Sequence, residues 1–206
     1  MKPLLVMLHG WSYDSSFWQK LIDTLPDMEC RAWDLGYYGT PSFLPPEREA
    51  VAVGHSYGVM WLLHQRPFAW RGLVSINGFS RFAQAPDLPE GVPLAQIDRL
   101  GASLEEDPQG CLAGFRQRCG DTMAPPDTPN VSRLLDSLEH LRQWDERPAL
   151  PDLALCGETD KVVPPPLSRA LFPEEVTRWH AGWHLLPQQD PEWWGEEIRA
   201  GLERAR

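Results

Sequence analysis

Val51-Ala52-Val53-Gly54-His55-Ser56-Tyr57-Gly58-Val59-Met60-Trp61-Leu62-Leu63 sets Gly-x-Ser-x-Gly between a short apolar, β-branched run and an apolar segment of helical character. In that setting the pattern reads as strand, sharp turn and helix, with Ser56 held on the turn in a strained backbone conformation and exposed above a sheet. Gly54 and Gly58 leave room for the strand and the helix to approach each other. Gly-x-Ser-x-Gly also occurs by chance in glycine-bearing loops, so the rest of the chain must supply the partners that a reactive serine needs.

Outward from this stretch, apolar runs alternate with helical patterns. Residues 3–8 form a continuous apolar run that stops at His9-Gly10-Trp11, as expected of a strand buried on both faces of a parallel sheet. Residues 15–25 predict a helix: Ser15 or Ser16 can cap it, Phe17, Trp18, Leu21, Ile22 and Leu25 recur at helical spacing, and Pro26 stops it. Strands are predicted at residues 30–33, 51–54, 72–76, 153–156 and 175–179, and helices at 57–65, 167–171 and 191–202. The segment 40–49 holds three prolines and leaves little room for a helix. Between Ser80 and Pro151 the alternation fails, and helices are predicted at 94–106, 109–119 and 131–144. The expectation is an α/β protein: a mostly parallel sheet of about six strands with helices on both faces. Residues 1–79 and 151–206 would form its core, and 80–150 a helical lid insertion.

Composition narrows the function classes. At 206 residues with 42% hydrophobic content the chain can bury a full core as one domain. No apolar run approaches the length of a membrane span, and the first ten residues do not read as a signal peptide, so a cytoplasmic protein is expected. A formal charge of −10 argues against nucleic-acid binding and disfavours anionic membranes. Cys30, Cys111, Cys119 and Cys156 show no metal-ligand spacing, so neither a metal nor another cofactor is expected. Cys30 and Cys156 lie in apolar runs and read as buried thiols.

Acyl transfer from a serine needs a base, a group that orients the base, and donors for the developing oxyanion, all delivered from strand ends on one side of a sheet. Asp160 follows the strand at 153–156 and His184 follows the strand at 175–179, so the order is Ser56, Asp160, His184. His9-Gly10-Trp11, Asp34-Leu35-Gly36, the Ser56 turn, Gly157-x-x-Asp160 and His184 together resemble the serine esterases of the α/β-hydrolase superfamily. The resemblance implies Ser56 as nucleophile, His184 as general base and then acid, Asp160 as its orienting carboxylate, and the backbone N–H groups of Trp11 and Tyr57 as the oxyanion hole. It also makes His9 and His55 structural turn residues and Asp34 a loop-fixing residue. Glu158, two residues from Asp160, is expected to point elsewhere. Trp183 either lines the pocket or packs.

The chain departs from that family in having one strand before His9-Gly10 instead of an antiparallel pair, and almost no helix before the Ser56 strand. A trimmed sheet with a thinly covered flank follows, in a monomer or weak dimer. Within the superfamily, His9-Gly10-Trp11, the length of the insertion and Phe79-Ser80-Arg81-Phe82 are most similar to the esterases that cleave the methyl ester of pimeloyl-acyl carrier protein in biotin synthesis. That similarity implies a small acyl ester borne on an acyl carrier protein. Carrier recognition would need Arg99, Arg116, Arg118, Arg133, Arg142 and Arg147 gathered on one face. A general small-acyl carboxylesterase or thioesterase is the competing enzyme reading, and a noncatalytic binding protein of the same fold the reading from another class.

Overall fold

The computed structural model describes residues 1–204. Six strands, β1 (Leu4–Leu8), β2 (Glu29–Trp33), β3 (Ala50–His55), β4 (Trp70–Ile76), β5 (Leu153–Gly157) and β6 (Thr177–His180), form one parallel sheet in the order β2-β1-β3-β4-β5-β6. Register keeps their carboxyl ends together: Leu8 pairs with both Trp33 and Gly54, His55 with Ile76, Ile76 with Leu155, and Gly157 with His180. The loops after all six strands therefore emerge along one rim.

Because side chains alternate along a strand, β1 feeds two cores. Leu4, Val6 and Leu8 pack with Val59, Met60 and Leu63 of α2 (Tyr57–Gln65) and Leu167 of α6 (Pro165–Leu171). Leu5 and Met7 pack on the other face with Leu21 of α1 (Gln19–Asp23) and with Trp194 and Ile198 of α8 (Pro191–Arg204). Between β4 and β5 lie α3 (Leu94–Glu106), α4 (Pro108–Cys119) and α5 (Val131–Gln143). No helix among the described residues is long and apolar enough to cross a membrane.

Several local expectations need correction. The first helical segment is split into a 3₁₀ turn, Ser15–Trp18, followed by the short α1, and its cap is Asp14, whose carboxylate accepts the Ser16 N–H at 2.9 Å. β6 starts at Thr177, because Val176 and Thr177 donate their N–H groups back to Pro173 and Glu174 in a turn. A short helix, α7 (Leu186–Gln189), follows His184 and had no periodic signal. Cys30 is only half-buried because β2 is an edge strand, whereas Cys111 and Cys119 are buried along with Cys156.

The proline-rich segment before β3 forms no helix. Aromatic packing covers that flank: Phe43 stacks on Trp61 at 5.0 Å and meets Trp33 edge-on at 5.6 Å, and the Trp33 indole N–H donates to the Leu44 carbonyl.

Helix α2 passes so close to its neighbours that a Cβ on Gly58 would lie 2.4 Å from the Leu8 carbonyl oxygen, and one on Gly54 would lie 2.7 Å from the Val59 nitrogen. Backbone atoms cannot yield as a flexible side chain can. Gly58→Ala is expected to cost about 3 kcal/mol, at the upper end of ordinary overpacking penalties. Denaturant unfolding checks this, and an unchanged midpoint would show that α2 has room to lift from β1.

Candidate active site

Ser56 joins β3 to α2 with φ 53° and ψ −125°, a conformation that costs a non-glycine residue about 1–3 kcal/mol unless its surroundings enforce it. They do so through the Ser56 N–H, which donates to the Ile76 carbonyl at 2.9 Å, and through the tight seat of α2. The side chain is thereby presented at the carboxyl rim. Its hydroxyl donates to His184 Nε2 at 2.9 Å, and His184 Nδ1–H donates to Asp160 Oδ2 at 2.7 Å. The other Asp160 oxygen accepts the N–H groups of Val162 and Val163 at 2.7 and 2.9 Å. An ionised carboxylate only accepts, so it fixes the His184 proton on Nδ1 and leaves the Nε2 lone pair facing Ser56. All three side chains are buried, so Ser56 is not exposed above the sheet as expected but lines the wall of a cavity. Glu158 is exposed and takes no part.

A second layer of polar groups holds this line in place. The carbonyl of His184 accepts His55 Nε2–H at 2.9 Å and Asn77 Nδ2–H at 2.9 Å, while Asn77 Oδ1 accepts the Gly157 N–H at 2.9 Å. Asn77, with φ 45°, thus ties the loop of Asp160 to the loop of His184 from the end of β4. His55 stacks on Phe17 at 4.4 Å, and burial, then the neighbouring His184, pushes its pKa well below the usual imidazole range. It is a neutral donor. His9 Nδ1–H donates to the Gly10 carbonyl and its Nε2 accepts the Leu35 N–H, while Asp34 accepts the Ser15 and Gly36 N–H groups.

The Gly10-Trp11 turn lies against the serine, since a Cβ on Gly10 would be 3.0 Å from Ser56 Cβ. Among the described residues, no partner engages the backbone N–H of Trp11 or of Tyr57. The Trp11 side chain is anchored by its indole N–H on the Leu134 carbonyl at 3.0 Å and by an edge-on contact with Phe115 at 4.7 Å. The Tyr57 hydroxyl hydrogen-bonds His140 Nδ1 at 2.7 Å, and His140 and His64 sandwich Trp144 at 3.8 and 3.7 Å.

Beside Ser56 opens a cavity of about 330 Å³ whose wall includes Trp11, Phe82, Ile97, Phe115 and Leu138. Gln96, Ser103 and Arg118 are its polar side chains away from the serine. Trp183 is not in the wall; it is 50% exposed and packs against Gly120. Among the described residues no group of three His, Cys, Asp or Glu side chains could hold a metal ion.

Sequence pattern does not mark Asn77 or His140 as site residues. An Asn-Gly pair directly after an apolar run was the available signal for Asn77, since asparagine tolerates positive φ. His140 had none, because only the fold brings it to Tyr57.

No protein-family model matches the chain. It is similar to the pimeloyl-[acyl-carrier protein] methyl ester esterase of Xanthomonas campestris pv. campestris (strain B100), with 29% identity over 199 residues covering 79% of this chain and 78% of that protein. In structure it resembles the esterase EaEST of Exiguobacterium antarcticum, with a TM-score of 0.79, 18% identity, and coverage of 98% of this chain and 92% of that one. It also resembles BioG of Haemophilus influenzae, with a TM-score of 0.66, 20% identity and 93% coverage of both chains. The fold is that of the α/β-hydrolases.

The buried neutral His55 gives stability a defined pH dependence. In the unfolded chain its imidazole takes up a proton as pH falls through about 6.5, whereas in the folded protein it does not. Stability is therefore lost as pH drops below that value, by up to about 1.4 kcal/mol per pH unit from this residue. Urea unfolding at pH 7, 6 and 5 should show a shallower slope in His55→Gln, which keeps a donor without titrating, and equal slopes would place the proton uptake elsewhere.

Proposed function

We propose that this ester hydrolase of the α/β-hydrolase fold works through Ser56, His184 and Asp160, and that its substrate is the methyl ester of pimeloyl-acyl carrier protein. The observation that carries the mechanism is the unbroken hydrogen-bonded line from the Ser56 hydroxyl through His184 to Asp160, set beside an apolar cavity. His184 Nε2 takes the hydroxyl proton as Ser56 Oγ attacks the ester carbonyl. The backbone N–H groups of Trp11 and Tyr57 receive the negative charge on the carbonyl oxygen. His184 then returns the proton to the departing methoxide, which leaves as methanol. Water repeats the sequence on the acyl-enzyme, and Asp160 stabilises the imidazolium in both halves.

Similarity to the Xanthomonas pimeloyl-[acyl-carrier protein] methyl ester esterase supports the substrate, and an apolar cavity suits a linear acyl chain. In this reading 80–150 is a lid over a core of 1–79 and 151–206, and an acyl carrier protein docks at the cavity mouth, where Arg118 is the cationic side chain in the wall. Of the other arginines expected to meet a carrier, Arg142 pairs with Asp98 and Glu139, Arg147 with Asp87 and Asp145, and Arg116 is buried, whereas Arg99 and Arg133 are exposed. Four free thiols suit a reducing cytoplasm.

With three of the six arginines paired or buried, a second reading is a general carboxylesterase for small acyl esters. Methanol release from methyl pimeloyl-acyl carrier protein, set against hydrolysis of 4-nitrophenyl acetate, separates the two. Carrier-ester turnover far above the generic rate is expected, whereas generic hydrolysis alone would discard the carrier substrate. Ser56→Ala should abolish turnover, and Asp160→Asn should lower kcat by about 10⁴ because the His184 tautomer is no longer enforced. Asp160→Asn with near-parent kcat would overturn the triad.

A further inference from the structure

Arg116 is a charged side chain of α4 that is 6% exposed. Its Nε–H donates to the Ser12 carbonyl at 3.0 Å and to Ser12 Oγ at 3.3 Å, and its Nη2–H donates to the same carbonyl. The rings of Tyr13 and Tyr38 flank the guanidinium carbon at 4.7 and 5.5 Å, and the Asp121 carboxylate lies 4.0 Å away. A buried cation needs this many partners to offset its desolvation, and an apolar side chain of similar size would occupy the space without that cost. Ser12 holds a left-handed φ of 70°, and it directly follows Trp11.

The Trp11 N–H belongs to the peptide whose carbonyl, that of Gly10, accepts His9 Nδ1–H. That bond fixes one side of the turn. On the other side, the Ser12 carbonyl accepts the Arg116 fork and the Tyr38 hydroxyl at 3.2 Å, and the N–H of that same Ser12–Tyr13 peptide donates back to the Gly10 carbonyl at 3.4 Å. The same stretch of α4 reaches the remaining two loops, since Arg118 Nη2–H donates to the Lys161 carbonyl beside Asp160, and Gly120 abuts Trp183 beside His184.

We propose that Arg116 is a positioning residue for ester hydrolysis, holding the Ser12 carbonyl so that the Trp11 N–H stays aimed at the oxygen that becomes negative when Ser56 attacks. The proposal rests on the reading of Ser56 as nucleophile and Trp11 as oxyanion donor. It assigns to a helix outside the strand-end loops the task of setting that donor.

The test uses the full chain carrying Arg116→Ala or Arg116→Lys, with 4-nitrophenyl butyrate as substrate and an alkyl trifluoromethyl ketone as a probe whose Ser56 adduct bears an oxyanion. In Arg116→Ala, kcat should fall roughly 10- to 100-fold and ketone affinity by a similar factor, because a donor is misaimed but not lost. KM should stay within about twofold, since ground-state binding is untouched. Added guanidinium should restore part of the loss in Arg116→Ala and leave the parent unchanged. Arg116→Lys, which keeps the charge but not the fork, should fall between the two and decides the matter if the alanine variant does not fold.

A folded variant that retains parent kcat and ketone affinity overturns the proposal, as does a loss confined to KM or to melting temperature. A parent protein that hydrolyses no ester and binds no ketone overturns the underlying reading as well. A parent that does both, with Arg116→Ala its equal, overturns the positioning role alone.

Discussion

Helix α2 crosses the end of β1 with backbone set against backbone, and much of the site's geometry follows from that contact. The Leu8 carbonyl occupies the space where a side chain on residue 58 would go, so the helix can start directly above the sheet. The chain must then reverse within one residue, and Ser56 takes the positive φ that this reversal demands. Strain at a single residue is tolerable because two apolar cores, one on each face of the sheet, fix the strand and the helix independently of it.

Around that turn the loops are held chiefly by side-chain donors on backbone carbonyls. His55 and Asn77 both take the carbonyl of His184, and His9 takes that of Gly10. Loops beyond a parallel sheet have left their ladder, and a buried carbonyl without a partner costs about 1–3 kcal/mol. Satisfying such groups with side chains from neighbouring strands removes that penalty and locks one loop to another. It also explains why His9 and His55 are buried beside the candidate triad: an imidazole offers an N–H at fixed geometry and packs like an aromatic, as the stacking of His55 on Phe17 shows.

Much of this was legible in the chain. The apolar runs that became strands are short and bounded by glycine, proline or charged turns, and the helices at 57–65 and 94–106 coincide with α2 and α3 because their periodicity is regular and their ends are marked. The residues singled out for chemistry, Ser56, Asp160 and His184, lie within hydrogen-bond distance in sequence-distant loops. Boundaries failed where tertiary contacts outweigh local pattern, as at the 3₁₀ turn before α1 and the late start of β6. Arg116 read as one of several candidates for carrier contact, because nothing in its neighbours announces that Ser12 lies beside it. Its burial is a product of how α4 returns over the strand ends.

Each of the six strands ends in a residue that lies in or braces the candidate site: Trp11 after β1, Leu35 bonded to His9 after β2, Ser56 after β3, Asn77 after β4, Asp160 after β5 and His184 after β6. In a sheet trimmed this far, shortening from either edge would remove a residue or a brace of the candidate site along with part of the core. The opposite rim, where the strands begin, carries none of these residues, and turns there such as Arg66 to Ala69 and Pro173 to Glu175 lie mostly at the surface. New termini, fused modules or attachment to a solid support belong on that side, where the chain can be reopened without touching the candidate site.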